Sequence, residues 1–151
     1  THAACWRALT HQSHPNQTVT KHMPTLNIVD SSGWLEYFAD TPHANFFADA
    51  IETTSQLLVP SITLYEVFKR VLQQTNESKA LSAIAVMQQG TVIELNASIS
   101  LVAAKLSIQH KTAMADSIIL ATTQANNATL WTQDADFKGL PNVMYQTKHT
   151  H

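Results

Sequence analysis

The chain has 151 residues, of which 44% are hydrophobic and 13% are charged, a composition typical of one compact domain and unlike that of a disordered segment. Nine basic residues are balanced by eleven acidic ones, which excludes the broad basic field of a protein that binds nucleic acid non-specifically. The single cysteine excludes an intramolecular disulfide, and the lack of a secretory signal or of an apolar stretch long enough to span a membrane makes the cytoplasm the expected location.

Residues 1–22 show no hydrophobic periodicity and contain four of the eight histidines. We interpret them as an N-terminal extension or a cloning remnant that precedes a start at Met23, and residues 149–151 as a C-terminal tail. His11 and His14 have the spacing of half a metal site. No cysteine or acidic residue lies near them in the sequence, so a solvated tail is the favoured interpretation.

The first apolar run covers residues 26–29 and stops at Asp30. The run predicts a buried strand, and Ser31 and Ser32 are predicted N-caps of a helix that continues over residues 33–38. Asp30 is thereby placed at the carboxyl end of a strand, which is the edge where ligands bind in open α/β sheets. A role as a cap or turn residue explains a lone Asp as well.

The second apolar run covers residues 57–59 and is ended by Pro60, after which a helix is predicted. Thr63 and Glu66 have capping-box spacing at the start of this helix, which is a structural explanation for Glu66. Glu66 also lies near the sheet edge that carries Asp30, so a functional role is an alternative. The residues with core spacing along this helix are Ile62, Tyr65, Val67 or Phe68, and Leu72.

Apolar runs and amphipathic segments alternate along the rest of the chain. Asp116 lies in the first turn of a predicted helix, where a favourable interaction with the helix dipole explains an acidic residue as well as a functional role does. Asp134 follows a predicted strand. The alternation predicts an α/β domain in which a central parallel sheet has helices on both faces. The predicted strands cover residues 26–29, 57–59, 92–95, 128–132 and 143–145, and the predicted helices cover residues 33–38, 41–51, 61–72, 77–89, 98–109 and 112–121.

Four acids of this predicted fold meet at one edge of the sheet. Asp30 and Asp134 each end a strand, while Glu66 and Asp116 lie in the first turns of helices that face the same edge. Clustered carboxylates repel one another unless a cation neutralises them, so the cluster predicts a bound metal ion. Oxygen ligands suit Mg²⁺ or Mn²⁺, and such ions can activate water and bind phosphodiester oxygens.

The segments that contain these acids are Ile28–Ser32, Ile62–Val67, Ala115–Ala121 and Thr132–Phe137, the last followed by Gly139 and Leu140. Their order and spacing, over residues 23–147, resemble those of the PIN-domain ribonucleases and, among them, the VapC toxins of toxin–antitoxin pairs. The resemblance implies a single PIN-like domain over residues 23–148, with a mostly parallel sheet of four or five strands. It also implies a Mg²⁺- or Mn²⁺-dependent RNA endonuclease that acts as a toxin. The implied catalytic and metal-binding residues are Asp30, Glu66, Asp116 and Asp134, with Asp136 as a further metal ligand.

Two details of the implied site stay open at this point. Either Asp134 or Asp136 is the closer metal ligand, and we favour Asp134 because it directly follows the strand. Ser31 or Ser32 matches a hydroxyl position that the family has beside its first Asp.

Three side chains near the acids are candidates for contact with RNA. Lys69 and Arg70 lie one turn beyond Glu66, so either can reach a substrate phosphate, or Arg70 can pair with Glu66. A solvated helix face is the favoured interpretation of both. Trp34 can stack on a base, although a core or interface position is favoured.

Two other functions fit parts of the pattern. A phospho-acceptor signalling domain also gathers acids and Mg²⁺ at this sheet edge, but it usually has adjacent acids after the first strand and a Lys after a late one. Here Asp30 stands alone and Gln133 precedes Asp134. A non-catalytic PIN module that only binds RNA or protein is disfavoured by the complete acidic quartet.

The aromatic residues in the first half of the chain indicate a protein–protein interface. There are more of them than a small sheet can bury, and an exposed apolar groove usually marks such an interface. The family resemblance implies a homodimer and an antitoxin whose tail places a basic side chain among the carboxylates. If all these aromatics are core residues, a monomer is expected instead. The residues concerned are Trp34, Tyr37, Phe38, Phe46, Phe47, Tyr65 and Phe68.

Overall fold

The computed structural model describes residues 24–148, and the interpretations of residues 1–22, of Met23 and of residues 149–151 lie outside the described residues. In this part of the chain, short strands alternate with α-helices. The strands are β1 (Asn27–Val29), β2 (Leu57–Pro60), β3 (Thr91–Ile93), β4 (Thr129–Thr132) and β5 (Val143–Tyr145). The helices are α1 (Ser31–Ala39), α2 (Ala44–Glu52), α3 (Ser61–Gln74), α4 (Glu77–Met87), α5 (Ala97–His110) and α6 (Met114–Ala125), with short 3₁₀ helices at Thr54–Gln56 and Ala135–Phe137.

The five strands form one sheet in the order β3-β2-β1-β4-β5, and every pair is parallel. The predicted α/β fold with a central parallel sheet is therefore confirmed. β1 occupies the centre, where Ile28 pairs with Leu58 on one side and with Leu130 on the other. Because β1 and β4 are neighbours and run in the same direction, the residues that follow them lie at the same edge of the sheet.

Helices cover both faces of the sheet, as predicted. Ile28 points to the face that α5 and α6 cover, and Val29 points to the face that α1 to α4 cover, because side chains alternate along a strand. Fully or nearly fully buried apolar side chains form a core on each face. The first core includes Ile28, Leu58, Ile99, Leu106, Ile119 and Leu130, and the second includes Val29, Trp34, Phe47, Val59, Val67 and Met87.

Helix α1 packs unusually closely on β1 and α2, and Gly33 makes this possible. A Cβ atom at Gly33 would lie 2.6 Å from Cε1 of Phe47 and 2.7 Å from Cγ1 of Val29, closer than van der Waals contact allows. The next residue, Trp34, is fully buried, so it is a core residue, as the favoured interpretation predicts. The N-terminal end of α1, which follows Asp30, can therefore lie this close to β1 and α2 only because glycine has no side chain.

The start of α2 and the buried side of α3 differ from the predictions. Helix α2 begins at Ala44 and not at residue 41, because the backbone first closes a turn in which the Ala44 N–H donates to the Thr41 carbonyl at 3.0 Å. On α3, Tyr65 and Leu72 are 59% and 42% exposed, although their spacing predicts core positions. Helix α3 instead buries the side that carries Val67. None of the helices in the range 24–148 is long and apolar enough to cross a bilayer.

Candidate active site

Asp30 is both a helix cap and a member of the acidic cluster. It is buried, and its Oδ1 accepts hydrogen bonds from the Gly33 N–H at 2.8 Å and from Ser32 Oγ at 3.1 Å. Its Oδ2 accepts a hydrogen bond from Thr132 Oγ1 at 2.5 Å. The prediction that Ser31 or Ser32 caps α1 is therefore wrong. Asp30 is the N-cap because its extended backbone turns the carboxylate back over the first helical N–H groups.

Glu66 does not form the predicted capping box with Thr63. Helix α3 begins at Ser61, so Thr63 lies inside the first turn, where its Oγ1 donates to the Pro60 carbonyl at 2.6 Å. Glu66 is turned instead toward the neighbouring helix, and its Oε1 accepts a hydrogen bond from Ser31 Oγ at 2.6 Å. The structural explanation for Glu66 is removed, and the hydroxyl of Ser31 holds the carboxylate at the edge of the sheet.

Thr132 joins two of the acids and is a site residue that the sequence reasoning missed. Its buried hydroxyl donates to Asp30 and accepts a hydrogen bond from the Asp134 N–H at 2.9 Å. The register explains the contact, because Val29 pairs with Trp131 and the next residues along both strands are Asp30 and Thr132. A hydroxyl at the last position of β4 is thus the signal that would have identified this residue.

The predicted quartet lines one cavity of about 330 Å³ at the carboxyl edge of the sheet. Asp136 does not line this cavity, but its carboxylate lies within 4.8 Å of those of Asp116 and Asp134. Asp136 is exposed, and its N–H donates to Asp134 Oδ1 at 2.9 Å. The structure thus brings the five predicted acids to one region, with Asp136 at its outer margin. The acidic residues that line the cavity are Asp30, Glu66, Asp116 and Asp134.

The cluster is electrostatically strained without a cation. Burial raises the pKa of the Asp30 carboxyl to about 6, in spite of the opposing hydrogen bonds that it accepts. The pKa of Asp116 is raised to about 7, first by burial and then by the negative charges of Asp134, Glu66, Asp30 and Asp136. Two carboxyls that titrate this close to neutral pH show that the site favours either protons or another positive charge.

The donor atoms of the cluster fit a hard divalent cation. All of them are carboxylate oxygens, which suit Mg²⁺ or Mn²⁺, and the cavity also has room for water ligands, of which Mg²⁺ keeps several. Lys69 and Arg70 line the same cavity and are themselves exposed to solvent. Their exposure is what the favoured interpretation of a solvated helix face predicts.

Comparison with known proteins places this geometry in a family. The family model of the PIN domain matches residues 28–142, a range that includes all five acids. No curated protein is significantly similar to the chain in sequence. Solved structures share the fold, with identities that are too low to carry more than the fold. A toxin–antitoxin complex from Klebsiella pneumoniae is 24% identical, with a TM-score of 0.66 over 78% of this chain and 95% of that chain.

Two further structures have the same architecture. VapBC2 from Rickettsia felis, bound to a DNA fragment from its promoter, is 18% identical, with a TM-score of 0.64 over 82% of this chain and 98% of that chain. VapC20 from Mycobacterium tuberculosis, described as a sarcin–ricin loop cleaving toxin, is 15% identical, with a TM-score of 0.65 over 78% of this chain and 96% of that chain. The resemblance seen in the sequence motifs is confirmed, and the chain belongs to the PIN-domain family.

Proposed function

We propose that this protein is a Mg²⁺- or Mn²⁺-dependent endoribonuclease that acts as a VapC-type toxin. The observation that carries the proposal is the convergence of the four acids on one cavity of a PIN domain. Toxin–antitoxin complexes among the structures that share the fold, and one toxin described as cleaving the sarcin–ricin loop, support it. An RNA target makes the cytoplasm the proposed place of action. The proposed catalytic residues are Asp30, Glu66, Asp116 and Asp134.

The same four carboxylates would hold the metal, with Asp136 as an additional ligand from the outer margin. When bound, Mg²⁺ or Mn²⁺ supplies Lewis-acid stabilisation of phosphodiester oxygens and lowers the pKa of water. The hydroxyls of Thr132 and Ser31 position the carboxylates of Asp30 and Glu66 through the hydrogen bonds described above. These donors are neutral, so they orient the acids without cancelling the charge that attracts the cation.

The decisive experiment is cleavage of total cellular RNA by the purified protein, with the cut ends mapped. We expect cleavage that requires Mg²⁺ or Mn²⁺ and that disappears in Asp30→Asn and Asp116→Asn. Cleavage that persists in EDTA would contradict the proposal. Unchanged RNA after prolonged incubation with Mn²⁺, together with retained RNA binding, would favour the non-catalytic PIN module, and labelling by a small phosphodonor would favour the phospho-acceptor domain.

We propose that an antitoxin occupies an apolar groove between α1, α3 and α4. The groove has a volume of about 440 Å³ and suits an amphipathic helix. A basic side chain from such a partner would neutralise the acids of the neighbouring cavity, which Leu35 also lines. Co-expression with the neighbouring gene product should relieve growth arrest, and Val86→Glu should abolish that relief. The apolar residues that line the groove are Leu35, Phe38, Ala39, Val71, Ala83 and Val86.

We propose that the protein is a homodimer. Trp34 and Phe47 are fully buried, so these aromatics are core residues, whereas Tyr65 is 59% exposed. Leu101 and Ile108 lie seven residues apart on α5 and are 69% and 82% exposed, which leaves an apolar stripe open. Light scattering at micromolar concentration should give a dimer for the wild type and a monomer for Ile108→Lys. A monomeric wild type would contradict the proposal.

A further inference from the structure

A second cavity adjoins the acidic one on the far side of Asp134. It has a volume of about 360 Å³, which is within the usual range of ligand sites. Ser32 and Asp134 line both cavities, so the two share a rim. The residues that are specific to the second cavity are Gln133, Ala135, Tyr145, Thr147 and Lys148.

The lining of the second cavity suits a nucleotide. Tyr145, at the end of β5, is half-buried and supplies an aromatic ring, and Lys148 supplies a positive charge. The Lys138 Nζ lies 5.7 Å from the centroid of the Tyr145 ring, so a second cation is close to the same place. Gln133 is 4% exposed, and its Nε2 donates to Glu36 Oε1 at 3.1 Å while its Oε1 has no hydrogen-bond partner. A base amino group is a donor of the kind that this oxygen lacks.

One face of α3 lines the acidic cavity and does not line the second cavity. Glu66, Lys69, Arg70 and Gln73 all line the acidic cavity, and their spacing of three, four and seven residues places them on a single helix face. One helical turn rises 5.4 Å, so the two cations stand about one turn beyond the carboxylate of Glu66. This separation is of the order of the repeat along a polynucleotide backbone. The cations are therefore suited to a phosphate next to the one at the acids.

We propose that single-stranded RNA crosses the acidic cluster between two flanking subsites. Lys69 and Arg70 bind a backbone phosphate on one side, and the Tyr145 cavity holds a nucleotide on the other. The proposal rests on the ribonuclease function proposed above and specifies how its substrate is bound. A single strand fits this arrangement because its unpaired bases are free to stack on an aromatic side chain. Local cations on both sides also explain how a chain with a net charge of −2 can hold a polyanion.

The test compares two substrates in the presence of Mg²⁺. One is a short single-stranded RNA, and the other is bis(p-nitrophenyl) phosphate, which has a phosphodiester but no flanking nucleotides. The variants are Lys69→Ala and Arg70→Ala, singly and together, with Tyr145→Ala and Tyr145→Phe. Lys79→Ala on α4 is the matched control, since it removes an exposed positive charge that lines neither cavity.

We expect Tyr145→Ala to lower kcat/KM for RNA roughly 5- to 150-fold, the value of one stacked base, and Tyr145→Phe to retain most of the rate. The double variant of Lys69 and Arg70 should act mainly through KM. The Tyr145 variants should hydrolyse the simple diester at the wild-type rate, and the double variant should lose much less of its rate on the simple diester than on RNA. An equal loss on both substrates would overturn the proposal, because it would show a merely structural role. Unchanged RNA cleavage in all variants would overturn it too.

Binding separates this proposal from the ribonuclease function. Anisotropy of a labelled single-stranded oligonucleotide should show a salt dependence whose slope falls by about 0.7 for each phosphate that the protein no longer neutralises. We expect that change for Lys69→Ala or Arg70→Ala and not for Tyr145→Ala, which should weaken binding at every salt concentration. If the wild type cleaves neither substrate, the proposed function fails. The two flanking subsites are then judged by these binding data, and unaltered binding by the variants would refute them.

Discussion

Replacement of Asp116 by Asn should stabilise the metal-free protein at alkaline pH. The pKa of this carboxyl is raised from 3.8 to about 7 in the folded protein. An acid whose pKa is raised by folding binds its proton more tightly in the folded than in the unfolded state. The stability that the bound proton contributes is therefore complete below pH 4 and is lost as the pH rises through 7. Above pH 7 the charged carboxylate opposes folding, and the neutral amide of Asn does not.

The size of the effect follows from the shift. About three pKa units correspond to roughly 4 kcal/mol at 1.36 kcal/mol per unit. Asp116 is only partly buried, so solvent screening reduces the gain in unfolding free energy to about 1–2 kcal/mol. For a domain of this size we expect a rise in Tm of about 3–6 °C at pH 8. At pH 5 the carboxyl is protonated in the folded wild type but already largely ionised in the unfolded chain, so the gain should be smaller, roughly a third of that at pH 8.

Thermal unfolding in EDTA at pH 5 and pH 8 measures the difference. Asp49→Asn is the control, because Asp49 is exposed on α2 and lines neither cavity. Addition of Mg²⁺ should raise the Tm of the wild type and leave that of Asp116→Asn nearly unchanged, since the variant has lost a proposed ligand. The electrostatic reasoning would be refuted if the variant were less stable than the wild type at pH 8, or if its Tm differed from that of the wild type by the same amount at both pH values.

Three further predictions concern other residues of the site and the helix that supports it. Thr132→Val should lower Mn²⁺ affinity about 10- to 100-fold by calorimetry while Thr132→Ser retains it, because the hydroxyl orients two carboxylates; equal affinities would contradict this role. Gly33→Ala should lower the urea midpoint by the equivalent of about 1–3 kcal/mol, since the new methyl overlaps Phe47, and an unchanged midpoint would show that α1 can shift freely. Asp134→Asn should abolish RNA cleavage and Asp136→Asn should only weaken it, because Asp134 lines the cavity and Asp136 lies at its margin; equally severe losses would make Asp136 an equal ligand.

Much of this architecture was predictable because it depends on the order of elements along the chain. Apolar runs that alternate with amphipathic segments specify a parallel sheet, and parallel strands deliver the residues that follow them to one edge. Asp30 and Asp134 could therefore be placed together before any contact was known. The first-turn position of Asp116 in α6 was predictable in the same way.

The details that were missed depend on where a helix begins and which of its sides packs. The capping box requires Thr63 to be the N-cap, but the helix begins at Ser61 with Pro60 as its N-cap, three residues earlier. Tyr65 and Leu72 have core spacing, but the tertiary packing of α3 buries a different side of the helix. Thr132 was missed because its role exists only once β1 and β4 are in register.

The hydrogen bonds around the acids explain how the fold keeps an unfavourable cluster ready for a cation. The partners of Asp30 and Glu66 among the described residues are hydroxyls and a backbone N–H. A Lys or Arg in their place would pair with the carboxylates and remove the attraction for a metal ion. The neutral donors fix the positions of the acids without neutralising their charge. Repulsion between the carboxylates therefore lowers the stability of the metal-free state. By the same logic, we expect a basic side chain supplied by the proposed antitoxin to inhibit the enzyme, because it would pair with these carboxylates.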